Sequence, residues 1–288
     1  MRTFLDLAIP LITFLLLMAV GLDLSPADFD RVRRRPLIVA VGLVGPLIVL
    51  PPLALLLIGV IRPSPGVEAG LLLIAACPVG GISNTYSYLA RASTALSVTL
   101  TGLSCLGAVV TIPLLTLFFE RALGRPVGFA VPAATLMTQL LFVLALPIGL
   151  GMWIRRRWPS FADDHRTAFQ RLGFGALGVL IAVVTISQAE QFRAQLVDTV
   201  PLAVVFVGVS MACGWSAGRL AGADREDKFT LAVEFSTRNV AVATAIAVVV
   251  LGQVWFAVFA TTYFLIEIPL MLAAIAVHRL RRRESAAR

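Results

Sequence analysis

Six consecutive residues inside an otherwise apolar stretch carry much of the polar chemistry of this sequence. The segment EFSTRN, from Glu234 to Asn239, contains a carboxylate, two hydroxyls, a guanidinium and an amide. A charged side chain at the centre of a bilayer costs about 2.5–3.5 kcal/mol on insertion scales. Because the flanking residues are apolar, we expect these side chains to face one another, a bound ion or water.

A second interrupted segment, CPVGGISN from Cys77 to Asn84, lies in the first half of the chain. Pro78 removes a backbone donor, and Gly80 and Gly81 are weak helix formers. Matching interruptions in two halves are typical of inverted-repeat transporters, whose broken helices place the binding site near the middle of the membrane. Unwound backbone is tolerated there because it lines a cavity.

Five oxygen-bearing side chains have the chemistry to hold a sodium ion. Ser97 and Thr101, in ALSVTLTGLS, are four residues apart and therefore project from one helix face. Sodium is a hard cation that prefers several oxygen ligands, with a carboxylate nearby. An alternative is that the two hydroxyls serve only helix packing and backbone bonding. The predicted ligands are Ser83, Asn84, Ser97, Thr101 and Glu234.

The elements that must position these residues are apolar runs of about twenty residues, the length of a membrane-spanning helix. Of 288 residues, 59% are apolar and 14% are charged, and the mean hydropathy is +0.92. This composition excludes a water-soluble enzyme, a nucleic-acid-binding protein and a secreted disulfide scaffold. It predicts an all-α polytopic membrane protein with about nine transmembrane helices. The predicted spans are roughly 4–22, 37–61, 67–88, 93–119, 129–154, 168–188, 198–220, 229–250 and 253–278.

We expect a single transmembrane domain over residues 1–288. Its N-terminal half is about 1–125, its C-terminal half is about 126–280, and a basic tail follows at about 279–288. Of the 24 Lys and Arg residues, 18 fall in the loops on one side of the predicted membrane and 5 on the other. This asymmetry predicts a multi-pass protein of the inner (plasma) membrane, with its N-terminus outside and its C-terminus in the cytoplasm.

Three segments resemble the bile acid:sodium symporter family, and the resemblance covers nearly the whole chain. They are MAVGLDLSPADFDRVRRRP, CPVGGISNTYSYLARASTALSVTLT and LAVEFSTRNVAVATAIA. The resemblance implies a core domain in which two broken helices cross, a panel domain, and sodium-driven uptake of organic anions by alternating access. It also implies that the five side chains above hold one sodium and that Asn239 faces the substrate. Family members with ten helices carry one more at the N-terminus, and we expect this chain to start at their second.

The second sodium site of the family has no counterpart in these residues. Its two glutamines correspond to Pro46 and Arg238. A guanidinium beside Glu234 would repel a cation. We therefore expect Arg238 to replace the second sodium, which predicts one sodium per substrate.

Glu267, in FLIEIPL of the last span, corresponds to a polar family position near the substrate cavity. We expect it to pair with Arg238, and the alternatives are that it carries a proton or only pairs near the membrane interface. Gly80 and Gly81 either let an anion approach backbone N–H groups or permit close helix crossing. The predicted substrate-binding residues are Asn239, Arg238, Glu267 and Gly81.

The leading hypothesis is symport of a small organic anion with Na⁺ as the coupling ion. We expect membrane lipid to surround the protein, and we expect no obligatory protein partner. The alternative is a proton-coupled or uniport carrier on the same scaffold that uses Arg238 and Glu267. A related arsenite carrier is a weaker alternative, since Cys77 also fits the symporter pattern.

We do not expect an enzyme, because His165 and His278 lie in or next to predicted loops and no HExxH arrangement occurs. A receptor on this scaffold would bind ligand without net flux.

Overall fold

The computed structural model describes residues 2–24, 34–127, 132–252 and 256–286. Within these ranges every regular element is helical, and the only β-type pairing is an isolated antiparallel bridge between Val79 and Arg238. The helices are α1 (Arg2–Asp23), α2 (Pro36–Ile61), α3 (Pro65–Ala76), α4 (Ile82–Ala90), α5 (Thr94–Leu123), α6 (Ala133–Leu140), α7 (Leu146–Arg157), α8 (Pro159–Ser187), α9 (Ala189–Leu220), α10 (Arg225–Ser236), α11 (Val240–Ala245) and α12 (Phe256–Ala286). Short π-helical turns follow α6, at Leu141–Ala145, and α11, at Ile246–Val250.

Six helical segments in the described residues are long and apolar enough to cross a bilayer. They are α2, α5, the segment Ala134–Arg157 that joins α6 to α7, Thr167–Ile186 within α8, α9, and Phe256–Arg282 within α12. The predicted all-helical membrane fold is therefore confirmed for the described residues. The other three predicted spans fall on α1, on α3–α4 and on α10–α11, and the count of nine spans and the inverted repeat stay predictions.

Two regions predicted as loops are helical. The helix α8 begins at Pro159, directly after Trp158, so His165 lies within a helix that starts well before the predicted span at about 168. Proline is favourable at the first helical position, because the N–H group that it lacks would have no partner in the helix. The helix α9 begins at Ala189 and includes Arg193. Both helices therefore extend beyond their apolar parts at their N-terminal ends.

Backbone contacts join helices at two places. Gly151 of α7 lies so close to α1 that a Cβ atom there would be 2.3 Å from the carbonyl oxygen of Met18. At Gly214 of α9, a Cβ atom would be 2.5 Å from the carbonyl oxygen of Leu231 in α10. Small residues permit such close crossings of membrane helices. They hold α1 against α7, and α9 against the helix that carries Glu234.

The start of α10 is fixed by a capping residue and an ion pair. Asp224 caps the helix, since its Oδ1 accepts the N–H of Asp227 at 2.8 Å. Arg35 Nη1, beside the start of α2, lies 2.6 Å from Asp227 Oδ2 and 3.4 Å from Asp224 Oδ2. The hydrogen bond from the Asp227 N–H, together with Arg35, holds the pKa of Asp224 below its usual range. These contacts tie the start of α2 to the start of α10.

We expect Gly214→Ala to lower the melting temperature of the purified protein in detergent, because the new methyl group overlaps the backbone of α10. Overpacking of this kind typically costs about 1–3 kcal/mol. Gly208→Ala on the same helix is the matched control, since a Cβ atom there meets nothing within 4 Å. That control should be neutral or slightly stabilising. Equal melting temperatures for the two variants would contradict the close contact between α9 and α10.

Candidate functional site

The two helix interruptions predicted from the sequence are present and lie against each other. The backbone N–H of Asn239, in the α10–α11 interruption, donates to the carbonyl oxygen of Pro78 in the α3–α4 interruption at 2.8 Å. Val79 and Arg238 form the antiparallel bridge. A Cβ atom at Gly80 would lie 2.8 Å from the carbonyl oxygen of Arg238, so this close approach requires glycine. The two interruptions thus satisfy part of each other's freed backbone hydrogen bonding.

The five predicted sodium ligands form one buried cluster at the meeting point of α4, α5 and α10. Ser97 Oγ donates to Glu234 Oε1 at 2.5 Å and lies 2.9 Å from Asn84 Oδ1. Ser83 Oγ lies 3.3 Å from Ser97 Oγ and 3.0 Å from Thr101 Oγ1. Asn84 is 8% exposed and the other four side chains are fully buried. The structure therefore brings the whole predicted set together.

This cluster contains more oxygen acceptors than hydrogens to share among them. Ser97 has a single hydroxyl hydrogen but two acceptors within reach, Glu234 Oε1 and Asn84 Oδ1. Glu234 Oε2 has no hydrogen-bond partner among the described residues. Across the same residues, no three His, Cys, Asp or Glu side chains are grouped as a metal site. Hydroxyl and amide oxygens around one carboxylate suit a hard cation, not a soft transition metal.

Arg238 is buried and donates its hydrogen bonds to main-chain carbonyl groups. Its Nε donates to Thr237 O at 3.0 Å, and its Nη1 donates to Cys77 O at 3.2 Å. Its Nη2 donates to the carbonyl oxygen of Glu234. One guanidinium thus binds carbonyl groups from both interruptions. The expected pair with Glu267 is a charge interaction without a direct hydrogen bond, because the guanidinium donates to the backbone.

Glu267 lies on α12 in surroundings unlike those of Glu234. Its side chain is fully buried, and neither carboxylate oxygen has a hydrogen-bond partner among the described residues. It faces the Thr237 hydroxyl, the backbone N–H of Arg238 and the charge of the Arg238 side chain. The Thr237 hydroxyl is also buried and has no partner in the described part of the chain. Glu267 is therefore a second buried carboxylate, with few polar contacts.

A cavity lies between α1, α8 and the paired interruptions. Apolar side chains of α1 and α8 form much of its wall, and Asn84, Arg238 and Asn239 supply polar groups. Gly81 also lines it. Three of the four predicted substrate-binding residues thus share one cavity, whereas Glu267 is not among its lining residues.

Asn239 has a structural role that the sequence analysis did not predict. Its Oδ1 accepts the N–H of Val242 at 3.1 Å and so caps the start of α11. Asparagine directly before a helix is a known capping signal, which makes this role recognisable from sequence once the interruption is located. The Asn239 side chain therefore both caps a helix and lines the cavity.

Two further residues that sequence reasoning missed satisfy freed backbone groups. Ser104 Oγ accepts the N–H of Val79 at 3.2 Å. Ser104 follows Thr101 by three residues, a spacing that places both on one side of α5 and was available as a signal. Tyr263 donates its hydroxyl to the carbonyl oxygen of Ser236. No local pattern identifies this contact, because Tyr263 lies on a different helix.

A second cavity lies on the side of the first interruption that faces α2 and α5. Its lining includes Pro46, Cys77, Ser104 and Arg238. Pro46 and Arg238 are the two positions at which the sequence departs from the expected second sodium site. The structure places them around the same space, where Pro46 offers no side-chain ligand.

Comparison with known sequences identifies the family. Residues 10–195 match the Sodium Bile acid symporter family. This range is more than half of the chain. It contains four of the five clustered residues and ends before the second interruption, which carries Glu234.

Curated relatives extend the similarity to about four fifths of the chain. A probable chloroplastic sodium/metabolite cotransporter of Oryza sativa subsp. japonica is 28% identical over 234 residues, which cover 81% of this chain and 54% of the relative. An uncharacterized sodium-dependent transporter of Bacillus subtilis is 25% identical over 235 residues, which cover 81% and 71%. Sodium/bile acid cotransporter 4 of Homo sapiens is 27% identical over 236 residues, which cover 80% and 53%.

This chain therefore spans about half the length of the rice and human relatives and a larger share of the bacterial one. The relatives are named as transporters or cotransporters, and each name specifies sodium. With a family match over most of its length, the chain belongs to the sodium bile acid symporter family.

Proposed function

We propose that this protein is a secondary active transporter that couples the movement of a small organic anion to sodium by alternating access. The observation that carries the proposal is the convergence of four hydroxyl and amide side chains on the fully buried carboxylate of Glu234. The proposal places the protein in the plasma membrane with its N-terminus outside and its C-terminus in the cytoplasm, as the loop charges favour.

A sodium ion at this cluster accounts for the burial of Glu234. An ionised carboxylate taken out of water needs a counter-charge and hydrogen bonds to offset its lost hydration. Ser97 supplies one hydrogen bond, and Glu234 Oε2 has none from the described residues. The Arg238 guanidinium donates to carbonyl groups and not to this carboxylate. Sodium would place a positive charge in direct contact with the carboxylate and use the oxygen lone pairs of Ser83, Thr101 and Asn84.

Arg238 supports a stoichiometry of one sodium. Carbonyl oxygens of Glu234, Thr237 and Cys77 are acceptors of the kind that coordinate a second ion, and here each accepts a guanidinium N–H. A second sodium ion in the same place could not use those three carbonyl oxygens. It would also be repelled by the fixed positive charge of Arg238. Arg238 acts in this proposal as a cation that is covalently part of the chain.

The cavity between α1, α8 and the interruptions supports an anionic substrate with an apolar body. Arg238 and two amide side chains, Asn84 and Asn239, lie on one side. Leucine, valine and phenylalanine side chains of α1 and α8 lie on the other, together with the hydrogen-bonded pair Asp23 and Gln170. The open backbone at Gly81 permits close approach of a carboxylate, since a Cβ atom there would touch only Val20, at 3.4 Å. The substrate binds beside the sodium cluster, because Asn84 belongs to both.

Sodium should raise the melting temperature of the purified protein, and organic anions should raise it further only when sodium is present. A ligand at a hundred times its Kd stabilises the folded state by about 2.7 kcal/mol. The measurement is a thermal-shift screen with bile acids, keto acids and hydroxy acids in sodium chloride, with potassium chloride as the control. Active anions are then tested for sodium-driven uptake into proteoliposomes. Anion effects of equal size in both salts would support the proton-coupled or uniport alternative.

We expect Ser97→Ala to weaken sodium binding by roughly tenfold or more. A polar contact to a charged group is worth about 1.5–3 kcal/mol, and 1.4 kcal/mol corresponds to a factor of about ten. The measurement is a sodium titration of the melting temperature. Thr116→Ala is the matched control, because Thr116 is a buried hydroxyl on the same helix that bonds only the Ile112 carbonyl, at 2.9 Å. Unchanged sodium affinity in Ser97→Ala would overturn the site.

Sodium dependence of uptake should show a Hill coefficient of about one in the unmodified protein. The double variant Pro46→Gln with Arg238→Gln returns two amide ligands to the second cavity and removes the guanidinium. It should bind a second sodium, measured by equilibrium dialysis with radioactive sodium. Arg238→Lys keeps the positive charge and should still bind one. Two sodium ions bound by the unmodified protein would contradict the replacement.

A further inference from the structure

Glu267 is a buried ionisable group that the sodium cluster at Glu234 does not use. It is fully buried, and both of its carboxylate oxygens lack hydrogen-bond partners there. The guanidinium of Arg238 gives its hydrogen bonds to carbonyl groups. A carboxylate left ionised in such surroundings costs several kcal/mol, and that cost is avoided when the group is neutral.

Two of the groups around Glu267 are hydroxyls that also lack partners among the described residues. The Thr237 hydroxyl faces it from the second interruption, and the Tyr86 hydroxyl is directed into the same region from α4. Both hydroxyls are buried and have no hydrogen-bond partner in the described residues. The remaining titratable or charged groups that face this region are Arg238 and, one turn earlier on α12, Tyr263.

The space available limits the occupant. Glu267 and Thr237 line neither the cavity beside α1 and α8 nor the cavity beside α2 and α5. An organic substrate bound in either of these two cavities therefore does not contact Glu267 in this conformation. A proton needs no cavity. Bound to a carboxylate oxygen of Glu267, it forms an O–H group that can donate to Thr237 Oγ1.

Charge balance also favours a proton. Glu234 and Arg238 together carry no net charge, and one sodium with a singly charged anion adds none. An ionised Glu267 would leave one uncompensated negative charge in the membrane interior in both the empty and the loaded protein. Each such charge is costly at that depth. A neutral Glu267 makes both states electrically balanced.

We propose that Glu267 is a proton-binding site, separate from the sodium cluster at Glu234. The proton occupies the carboxylate while the centre of the protein is closed to water, donates to Thr237, and exchanges with water when α12 is exposed during the transport cycle. Uptake therefore requires a protonated Glu267 and decreases as pH rises. This site goes beyond the sodium-coupled function, because it adds a second ion of different chemistry.

Infrared difference spectroscopy of the purified protein in sodium chloride tests this site directly. Between pH 5 and pH 9, we expect a carbonyl-stretch band of a protonated carboxyl group that decreases as pH rises. Glu267→Gln should abolish the band. The control Glu190→Gln, at an exposed position on α9, should retain it. Absence of the band in the unmodified protein, or its survival in Glu267→Gln, would overturn the proposal.

Two further measurements on Glu267→Gln separate a proton from a second sodium. Glutamine resembles the protonated acid, so the variant should melt at or above the temperature of the unmodified protein, and at pH 9 the difference should be largest. It should also bind as many sodium ions as the unmodified protein in equilibrium dialysis. A large loss of thermal stability, or the loss of one bound sodium, would refute the proton site. Neither result depends on the Ser97→Ala experiment, so the proton site at Glu267 and the sodium site at Glu234 are tested independently.

Discussion

Backbone groups that leave a helix inside an apolar interior must find partners within the protein, and this requirement organises the centre of the molecule. Pro78 lies in one interruption, and its carbonyl oxygen accepts the N–H of Asn239 in the other. Arg238 then donates to carbonyl oxygens on both sides. Because each interruption completes the hydrogen bonding of the other, neither is expected to be stable alone in a dry environment. The oxygen cluster at Glu234 and the cavity beside α1 and α8 are built around this mutual dependence.

The two buried carboxylates show how surroundings determine chemistry. Glu234 lies among hydroxyl and amide oxygens that have too few hydrogens to satisfy one another, which suits a metal cation. Glu267 has a single hydroxyl, that of Thr237, directly facing it and no bonded donor among the described residues. We therefore propose different ions for these identical side chains, since one has several oxygen neighbours and the other has few. Arg238 lies between these roles without forming a hydrogen-bonded pair with Glu267.

The sequence was sufficient to predict the features that depend on local pattern. Proline and glycine between Cys77 and Gly81 marked the first interruption, and the cost of burying Glu234 marked the second. The four-residue spacing of Ser97 and Thr101 correctly placed both hydroxyls on one face of α5. These predictions needed only periodicity and the properties of single residues.

Features that depend on distant backbone atoms could not be predicted in this way. Side-chain charge is visible in a sequence, and it predicts that Arg238 pairs with a carboxylate. Carbonyl groups that are freed elsewhere in the chain cannot be read from the sequence. For the same reason, the contact of Tyr263 with Ser236 left no local signal. The polar N-terminal turns of α8 and α9, which include His165 and Arg193, were predicted as loops because hydropathy reports the membrane boundary and not the end of the helix.

The glycine contact between α1 and α7 has a mechanical consequence. Main chain touches main chain at Gly151, and Gly21 makes the reciprocal approach to the carbonyl oxygen of Ile148. No side chains lie between the two helices at that point to rearrange as one helix shifts, so sliding along the axis would bring neighbouring Cβ atoms into collision. The two helices are therefore expected to move together as one rigid body. A displacement of α1 beside the cavity should produce an equal displacement of α7.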